Sequence, residues 1–520
     1  MRSISLLQPL RFPTHHRAQL KNLDRAQVSL RRTFQTTTIN TTATATATAS
    51  SSSKDDSKMT SRFHKERSSR IKTELSRGLD VWSLFNPVVF PSAVNLGQGF
   101  MNWQPPKYVL KGMNEAIEER VDVHHYSHPK GRLRLRQAIS DHYSSEFNPP
   151  DSLLPGADRW DGQGDSGPGL RMPSAKGRRL DVEEEIQVTS GANGGMYSIL
   201  GAFLEEGDEV ICIEPYFDQY EAEIIFNGGV PTYVPLIPPA SSKADGSRAN
   251  LVSSASEWRM DWQLLEEKMS SPKCKAMFLN TPHNPVGKIF TLEELSRLAK
   301  LCTKYDILVI SDEVYDCLTY DGEKHIRIAS LEGMWDRTIT VGSAGKSFAC
   351  TGWRVGWLIG PPHLIGPART VHTRITFAVN SAAQEGSAIG LERSSEEGFF
   401  ARQIHEYDQR RLELTSILDK LGLPYTMPQG SYFVMADVSD VVIPEDFEIP
   451  PRISSKALDY SKAWFIAKTC DVVVIPSTAF YSDQNANVGE RFVRFSFCKD
   501  GQLQEAGERL KKLLPFIKRD

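Results

Sequence analysis

Between residues 185 and 342 the chain keeps one rhythm. Apolar or β-branched runs at 185–189, 210–213, 276–279, 307–310 and 338–342 are too short for helices and too continuous for strands with one wet face. Each ends in a turn rich in Gly, Pro, Asn or Asp, and helical spacing follows. After the first run, Met196, Ile199, Leu200, Phe203 and Leu204 fall on one helix face, with Gly207 just beyond its end. Doubly buried strands alternating with helices predict an α/β fold around a mostly parallel, helix-covered sheet. Ligands of such sheets bind beyond the carboxyl ends of the strands.

The flanks read differently. Ile71, Leu75, Leu79 and Trp82 predict helix within 61–90, and further helices are expected over 107–119 and 132–147. Beyond about residue 390 the pattern changes to helix (396–421), strand (431–435), helix (455–468), two strands (471–475 and 492–497) and a final amphipathic helix. This predicts a large domain over 101–390 and a smaller α+β domain over 391–520, joined by an arm formed from 59–100. Residues 149–180 are rich in Gly, Pro, Asp and Ser without periodicity and read as an exposed, disordered insertion. His124, His125 and His128 lie ahead of it, but no cysteine or carboxylate spacing supports a metal there.

Residues 1–58 do not read as part of a fold. Arginines at 2, 11, 17, 25, 31 and 32, no acid in the first 23 positions, and a Thr/Ala/Ser tract over 36–53 describe a mitochondrial transit peptide and linker. The expected location is the matrix, with initiation at Met59 yielding a second, cytoplasmic form. A formal net charge of −3 argues against a dedicated nucleic-acid binder. No apolar run reaches the length of a membrane span. Seven scattered cysteines without a CxxC pair fit a reducing compartment and give no metal site.

Chemistry collects at the predicted strand ends. In order they carry the glycine-rich turn from Ser190 to Gly195, then Phe217, Asn284, Asp312 with Tyr315, and Ser343 with Lys346, followed by Arg354. Each has a plain alternative: a helix cap for Asp312, core for Phe217, a turn for Asn284-Pro285, a surface ion pair for Arg354. Together they match the needs of a planar, anionic, nitrogen-containing aldehyde. Lys346 offers an amine to condense with it. Asp312 offers a carboxylate for its ring nitrogen. Asn284 and Tyr315 offer donors for a phenolate, and Phe217 a ring to cover one face. The Ala192-Asn193 turn opening a helix, with Ser343 and Arg354, offers N–H groups and charge for a phosphate. The turn is neither GxGxxG nor a lysine-bearing P-loop, which disfavours dinucleotide and ATP readings.

With these motifs the sequence resembles the fold-type I, class I/II pyridoxal-phosphate aminotransferases. More narrowly it is similar to the branch of kynurenine aminotransferases and cysteine-S-conjugate β-lyases. The resemblance is carried by residues 95–100, 214–218, 279–285, 311–315, 343–347, 351–356 and 493–500. It implies a large domain with a seven-stranded type of sheet, pyridoxal 5′-phosphate as cofactor, and no metal. It also implies that Arg494 pairs with the substrate α-carboxylate, Gly99 contacts it through backbone, and Trp82 and Phe377 are aromatic pocket residues. Asn284 would also touch substrate. Tyr126 would reach the cofactor phosphate of a neighbouring subunit, so a homodimer with shared active sites is expected. Position 378 is Ala where some relatives carry His. The implied reaction moves the amino group of an L-amino acid, L-kynurenine above others, to a 2-oxo acid such as 2-oxoglutarate, giving kynurenate, with Lys346 as general base. The alternatives are β-elimination from cysteine S-conjugates and a glutamine–phenylpyruvate or broad aromatic transaminase. A pyridoxal-phosphate-sensing transcription regulator would need a DNA-binding module in residues 1–60, which are too low in complexity to form one.

Overall fold

The computed structural model describes residues 68–76, 79–86, 89–147, 179–240 and 251–518. The expected transit peptide, Met59 and all of the 149–180 insertion except Arg179 and Leu180 lie outside them. Leu180 itself is buried, in one cluster with Ile139, Ile186 and Val188.

An eight-stranded sheet organises the chain. Its spatial order is Ile186–Thr189, Gly356–Ile359, Thr338–Ser343, Leu308–Asp312, Cys274–Asn280, Glu209–Glu214, Val230–Ile237 and Arg259–Met260. The strands from Thr338–Ser343 through Val230–Ile237 are parallel to their neighbours. Alternation along these strands sorts their side chains onto two faces. Ile211, Ile213, Met277, Leu279 and Val309 join one core, while Val210, Cys212, Ala276, Phe278 and Ile310 join another. Both faces are dry, which is why the runs are continuously apolar. Burying each large aliphatic side chain contributes about 1.5–3 kcal/mol.

Two strands run against the rest, Arg259–Met260 at one edge and Gly356–Ile359 inside the sheet, and the site depends on the second. Gly356–Ile359 is antiparallel both to Thr338–Ser343 and to Ile186–Thr189, with Gly356 opposite Ser343 on one side and Thr189 on the other. The segment between Ser343 and Gly356 therefore leaves and re-enters the sheet at a single edge. That edge is also where the turn after Thr189 opens the helix Gly191–Phe203. Sequence patterning did not single out Gly356–Ile359, because a four-residue strand carries too little periodicity.

A second sheet of five strands runs in the order Ile475–Pro476, Phe492–Ser496, Phe433–Asp437, Tyr425–Met427 and Val252–Ser254. The last of these comes from mid-chain and pairs in parallel with Tyr425–Met427. Val94–Asn95 pairs in parallel with Val472–Val473. The expected strand at 431–435 begins later, since Ser431 has φ 61° and cannot extend a strand. Of the helical pattern expected over 61–90, the described residues form Ser69–Ser76 and Val81–Leu84, the second capped by the Asp80 side chain on Ser83 N. Phe85 and Phe90 from this region pack on Trp464.

Candidate active site

Lys346 lies in the short helix Ala344–Ser347, directly after the strand Thr338–Ser343. Gly345 is required beside it, because a Cβ there would meet Thr351 Cα at 2.9 Å. The Lys346 amine donates to Gly99 O at 3.2 Å and to Tyr432 OH at 3.0 Å. Burial pushes its pKa down to about 8, with Arg494 and Arg354 acting in the same direction against Cys498 and Asp312. A useful fraction is thus neutral near physiological pH.

Asp312 ends the strand Leu308–Asp312 and is 4% exposed. Burial pushes its pKa up to about 6, while hydrogen bonding from Tyr220 opposes that. The Tyr220 hydroxyl donates to Oδ2, and Val314 N donates to Oδ1 at 3.4 Å. The Tyr220 ring is fixed face to face on Phe278, with centroids 4.1 Å apart. Asn280 ties two strand ends together: its Nδ2 donates to Asp312 O at 2.9 Å and its Oδ1 accepts from Asn284 N at 2.6 Å. Phe217 meets the edge of Tyr220 at 5.7 Å. Tyr315 is buried against Tyr432 and Phe433.

Arg494, on the strand Phe492–Ser496, is 1% exposed. It donates to Asn284 Oδ1 at 3.0 Å and to Gly97 O at 2.6 Å. The rings of Phe433, Phe480 and Trp82 lie 4.2, 4.6 and 5.6 Å from its guanidinium carbon. Burial lowers its pKa to about 10, and Nε is buried without a hydrogen-bond partner among the described residues. Trp82 is held by its indole N–H, which donates to Asp218 Oδ2 at 2.6 Å.

At the far side, Gly191 has φ +72°, and a Cβ there would stand 2.5 Å from Arg354 Nη2. The guanidinium therefore lies on the turn that opens Gly191–Phe203, where Ala192 and Asn193 are half-buried. The first N–H groups of a helix have no partner within it, so this end pairs an anion-seeking backbone with a cation. Ser343 is buried at the adjacent strand end. Ser190 N is held by His372 Nε2 at 3.0 Å.

The arrangement combines an amine of lowered pKa, a buried carboxylate and an anion cradle at the strand ends of the large sheet with a buried guanidinium from the second sheet. The family profile of class I and II aminotransferases matches residues 91–510. The chain belongs to this family. It is 38% identical over 449 residues to kynurenine–oxoglutarate transaminase of Dictyostelium discoideum, covering 85% of this chain and 96% of that protein. It is 36% identical over 443 residues to human kynurenine–oxoglutarate transaminase 3, covering 84% and 88%. The solved structure of Bna3p from Saccharomyces cerevisiae matches with a TM-score of 0.76 and 37% identity, over 87% of this chain and 100% of that one.

In this aminotransferase the fold brings together most of the residues picked from sequence. Lys346 is linked to Gly99 directly and through Tyr432, and Arg494 to Asp312 through Asn284 and Asn280. Arg354, Ala192 and Asn193 form the anion cradle. Tyr126 and Phe377 instead meet each other at the surface, edge to face at 5.2 Å, and are 86% and 51% exposed. Phe377 has φ 67°, unusual for an aromatic residue. Sequence reasoning missed Tyr432, Tyr220 and the Trp82–Asp218 bond. Tyr220 follows the quoted Asp218 by two positions at the start of the helix Gln219–Phe226, and that adjacency was the only available signal. Tyr432 looked like one more apolar residue of a strand. Among the described residues no helix is long and apolar enough to cross a membrane.

Proposed function

We propose that this chain is a pyridoxal-phosphate-dependent transaminase that takes the amino group of L-kynurenine and passes it to a 2-oxo acid such as 2-oxoglutarate. The observation that carries the reading is the convergence of Lys346 and Asp312, from the large sheet, with Arg494, from the second sheet, in a chain whose relatives bear the name kynurenine–oxoglutarate transaminase. The residues suit the cofactor. Among the described residues Asp312 is hydrogen-bonded by a hydroxyl and an amide rather than a cation, which leaves a buried carboxylate suited to a protonated ring nitrogen. Arg354 and the Ala192-Asn193 turn suit a phosphate, with Ser343 beside them. Phe217 would cover the ring, and Tyr315 and Asn284 would donate to its phenolate oxygen. Because Asn284 Oδ1 accepts from Arg494, its Nδ2 is the end left to donate.

Bound there, pyridoxal phosphate supplies an aldehyde for amines and a ring that draws electrons from an adjacent carbon–hydrogen bond. Arg494 holds the α-carboxylate through its planar fork, beside the Gly99 backbone. Lys346 Nζ removes the α-proton as general base. Asp312 keeps a proton on the ring nitrogen. Trp82, steadied by Asp218, would line the space for an aromatic side chain, and Phe377, exposed at the surface beside Tyr126, would serve the partner's site across a dimer interface. The exposed Tyr126–Phe377 pair supports a homodimer in which Tyr126 reaches the partner's cofactor phosphate. We further assign 101–390 to the large domain and 391–520 with the 59–100 arm to the small one, with residence in the mitochondrial matrix.

Absorbance of the purified protein with pyridoxal phosphate, before and after L-kynurenine and 2-oxoglutarate, tests the reading. Kynurenate formed by wild type and not by Lys346→Ala is the expected result. Cofactor binding without kynurenate would remove the substrate assignment, and no cofactor binding would remove the whole proposal.

A further inference from the structure

Lys346 is gripped by a residue that the proposed reaction has not yet used. Tyr432 is fully buried, and its hydroxyl stands between Lys346 Nζ at 3.0 Å and Gly99 O at 2.8 Å. Lys346 also reaches Gly99 O directly, at 3.2 Å. Amine, phenol and carbonyl form a closed triangle in which the phenol donates to the carbonyl and accepts from the amine. The phenol ring cannot swing away, being wedged by Tyr315 at 5.0 Å, Phe433 at 4.7 Å and Tyr407 at 5.8 Å. A neutral amine has two hydrogens and one lone pair. Committing both hydrogens to fixed acceptors leaves the lone pair with a single direction.

We propose that Tyr432 is a catalytic residue, which orients the Lys346 lone pair before proton transfer and stabilises the ammonium after it. This rests on Lys346 being the general base proposed above. In the step, the substrate Cα–H bond breaks and an Nζ–H bond forms. The electron pair of the broken bond stays on the substrate side, and Nζ later surrenders the proton. Throughout, the hydrogen bond to Tyr432 OH persists and strengthens as Nζ gains charge. The other ionisable groups around Lys346 are Asp312, Tyr315, Arg354, Arg494 and Cys498, and none of these stands at hydrogen-bond distance from Nζ among the described contacts.

The test compares Tyr432→Phe with Tyr407→Phe, since the buried Tyr407 hydroxyl has no hydrogen-bond partner among the described residues. In full-length, cofactor-free protein, the rate of Lys346 carbamylation by cyanate is followed against pH by peptide mass. Losing the acceptor disfavours the ammonium, so in Tyr432→Phe the Lys346 pKa falls by roughly one unit and carbamylation at pH 7 speeds up. In the loaded enzyme kcat falls by about 10- to 100-fold, KM is little changed, and α-deuteration of the amino acid slows turnover more than in wild type. Tyr407→Phe matches wild type in both assays. A Tyr432→Phe protein with the wild-type Lys346 pKa and isotope effect, or a Tyr407→Phe protein with the same changes, overturns the proposal. Wild-type protein that turns over no amino acid would instead overturn the transaminase reading, while the cyanate rates still decide whether Tyr432 grips Lys346.

Discussion

Replacing Tyr220 by Phe isolates one hydroxyl. The ring remains stacked on Phe278, and Asp312 Oδ2 loses its donor. Asp312 is held at a pKa of about 6, raised by burial and restrained by Tyr220. A hydrogen bond to a charged group contributes about 1.5 kcal/mol at the low end, or roughly one pKa unit. Its loss therefore moves Asp312 to about 7. At pH 6 the ionised fraction drops from about one half to about one tenth, whereas at pH 8 it stays near or above roughly nine tenths in both proteins. If the carboxylate is what receives the ring nitrogen, the affinity for pyridoxal phosphate falls roughly fivefold at pH 6 and by less than about 1.2-fold at pH 8. The assay is fluorescence titration of cofactor-free protein at the two pH values. Taking the ratio of mutant to wild type at each pH cancels the titration of the cofactor itself. An equal loss at both pH values would mean that Tyr220 acts through packing, and no loss at pH 6 would remove Asp312 from the cofactor's nitrogen.

Other expectations follow from the same geometry. Arg494→Lys keeps the charge but loses the fork that spans Asn284 Oδ1 and Gly97 O, so steady-state KM for donor and acceptor should rise roughly 100-fold with cofactor affinity unchanged. Gly191→Ala puts a methyl group 2.5 Å from Arg354 Nη2 at a positive φ. Affinity for pyridoxal phosphate should drop about tenfold, while affinity for pyridoxal, which lacks the phosphate, should not change. Glu214 accepts from Ser482 N and Asn485 Nδ2, both at 2.5 Å, and burial raises its pKa to about 7. The folded state holds this proton after the unfolded chain has released it. That contribution to stability is therefore complete below the usual carboxylate range and is lost as pH rises through about 7. The fall in Tm between pH 5.5 and 8.5 should be shallower in Glu214→Gln, and an unchanged slope would contradict the assignment.

What could be read in advance divides along physical lines. Strands such as Thr338–Ser343 and Leu308–Asp312 were legible because burial on both faces leaves an unbroken apolar signature. Residues just past those strands were legible as chemistry because adjacency in sequence becomes adjacency at the sheet edge. The antiparallel Gly356–Ile359 was not legible, because its direction is set by two neighbours, one of them near residue 189. Tyr432 and Tyr220 act on partners 86 and 92 residues away, and nothing in their local sequence announces it. Spacing over 61–90 does not reveal that Asp80 starts a new helix, because the cap is a side-chain bond to Ser83 N and leaves no apolar period. The run at 471–475 split into Val472–Val473 and Ile475–Pro476 because its halves pair with different partners.

The reversed strand also sets a timetable. During synthesis the helix Gly191–Phe203 and the strand before it emerge early, but among the described residues that strand's sole neighbour in the sheet is Gly356–Ile359. Until that late segment inserts, the anion cradle has no Arg354 beside it and the first strand is an open edge. Pairings so distant in sequence are slow to form and leave such edges exposed meanwhile. An anion at this edge would therefore meet the complete cradle, helix end and guanidinium together, only in chains whose Gly356–Ile359 strand has joined the sheet.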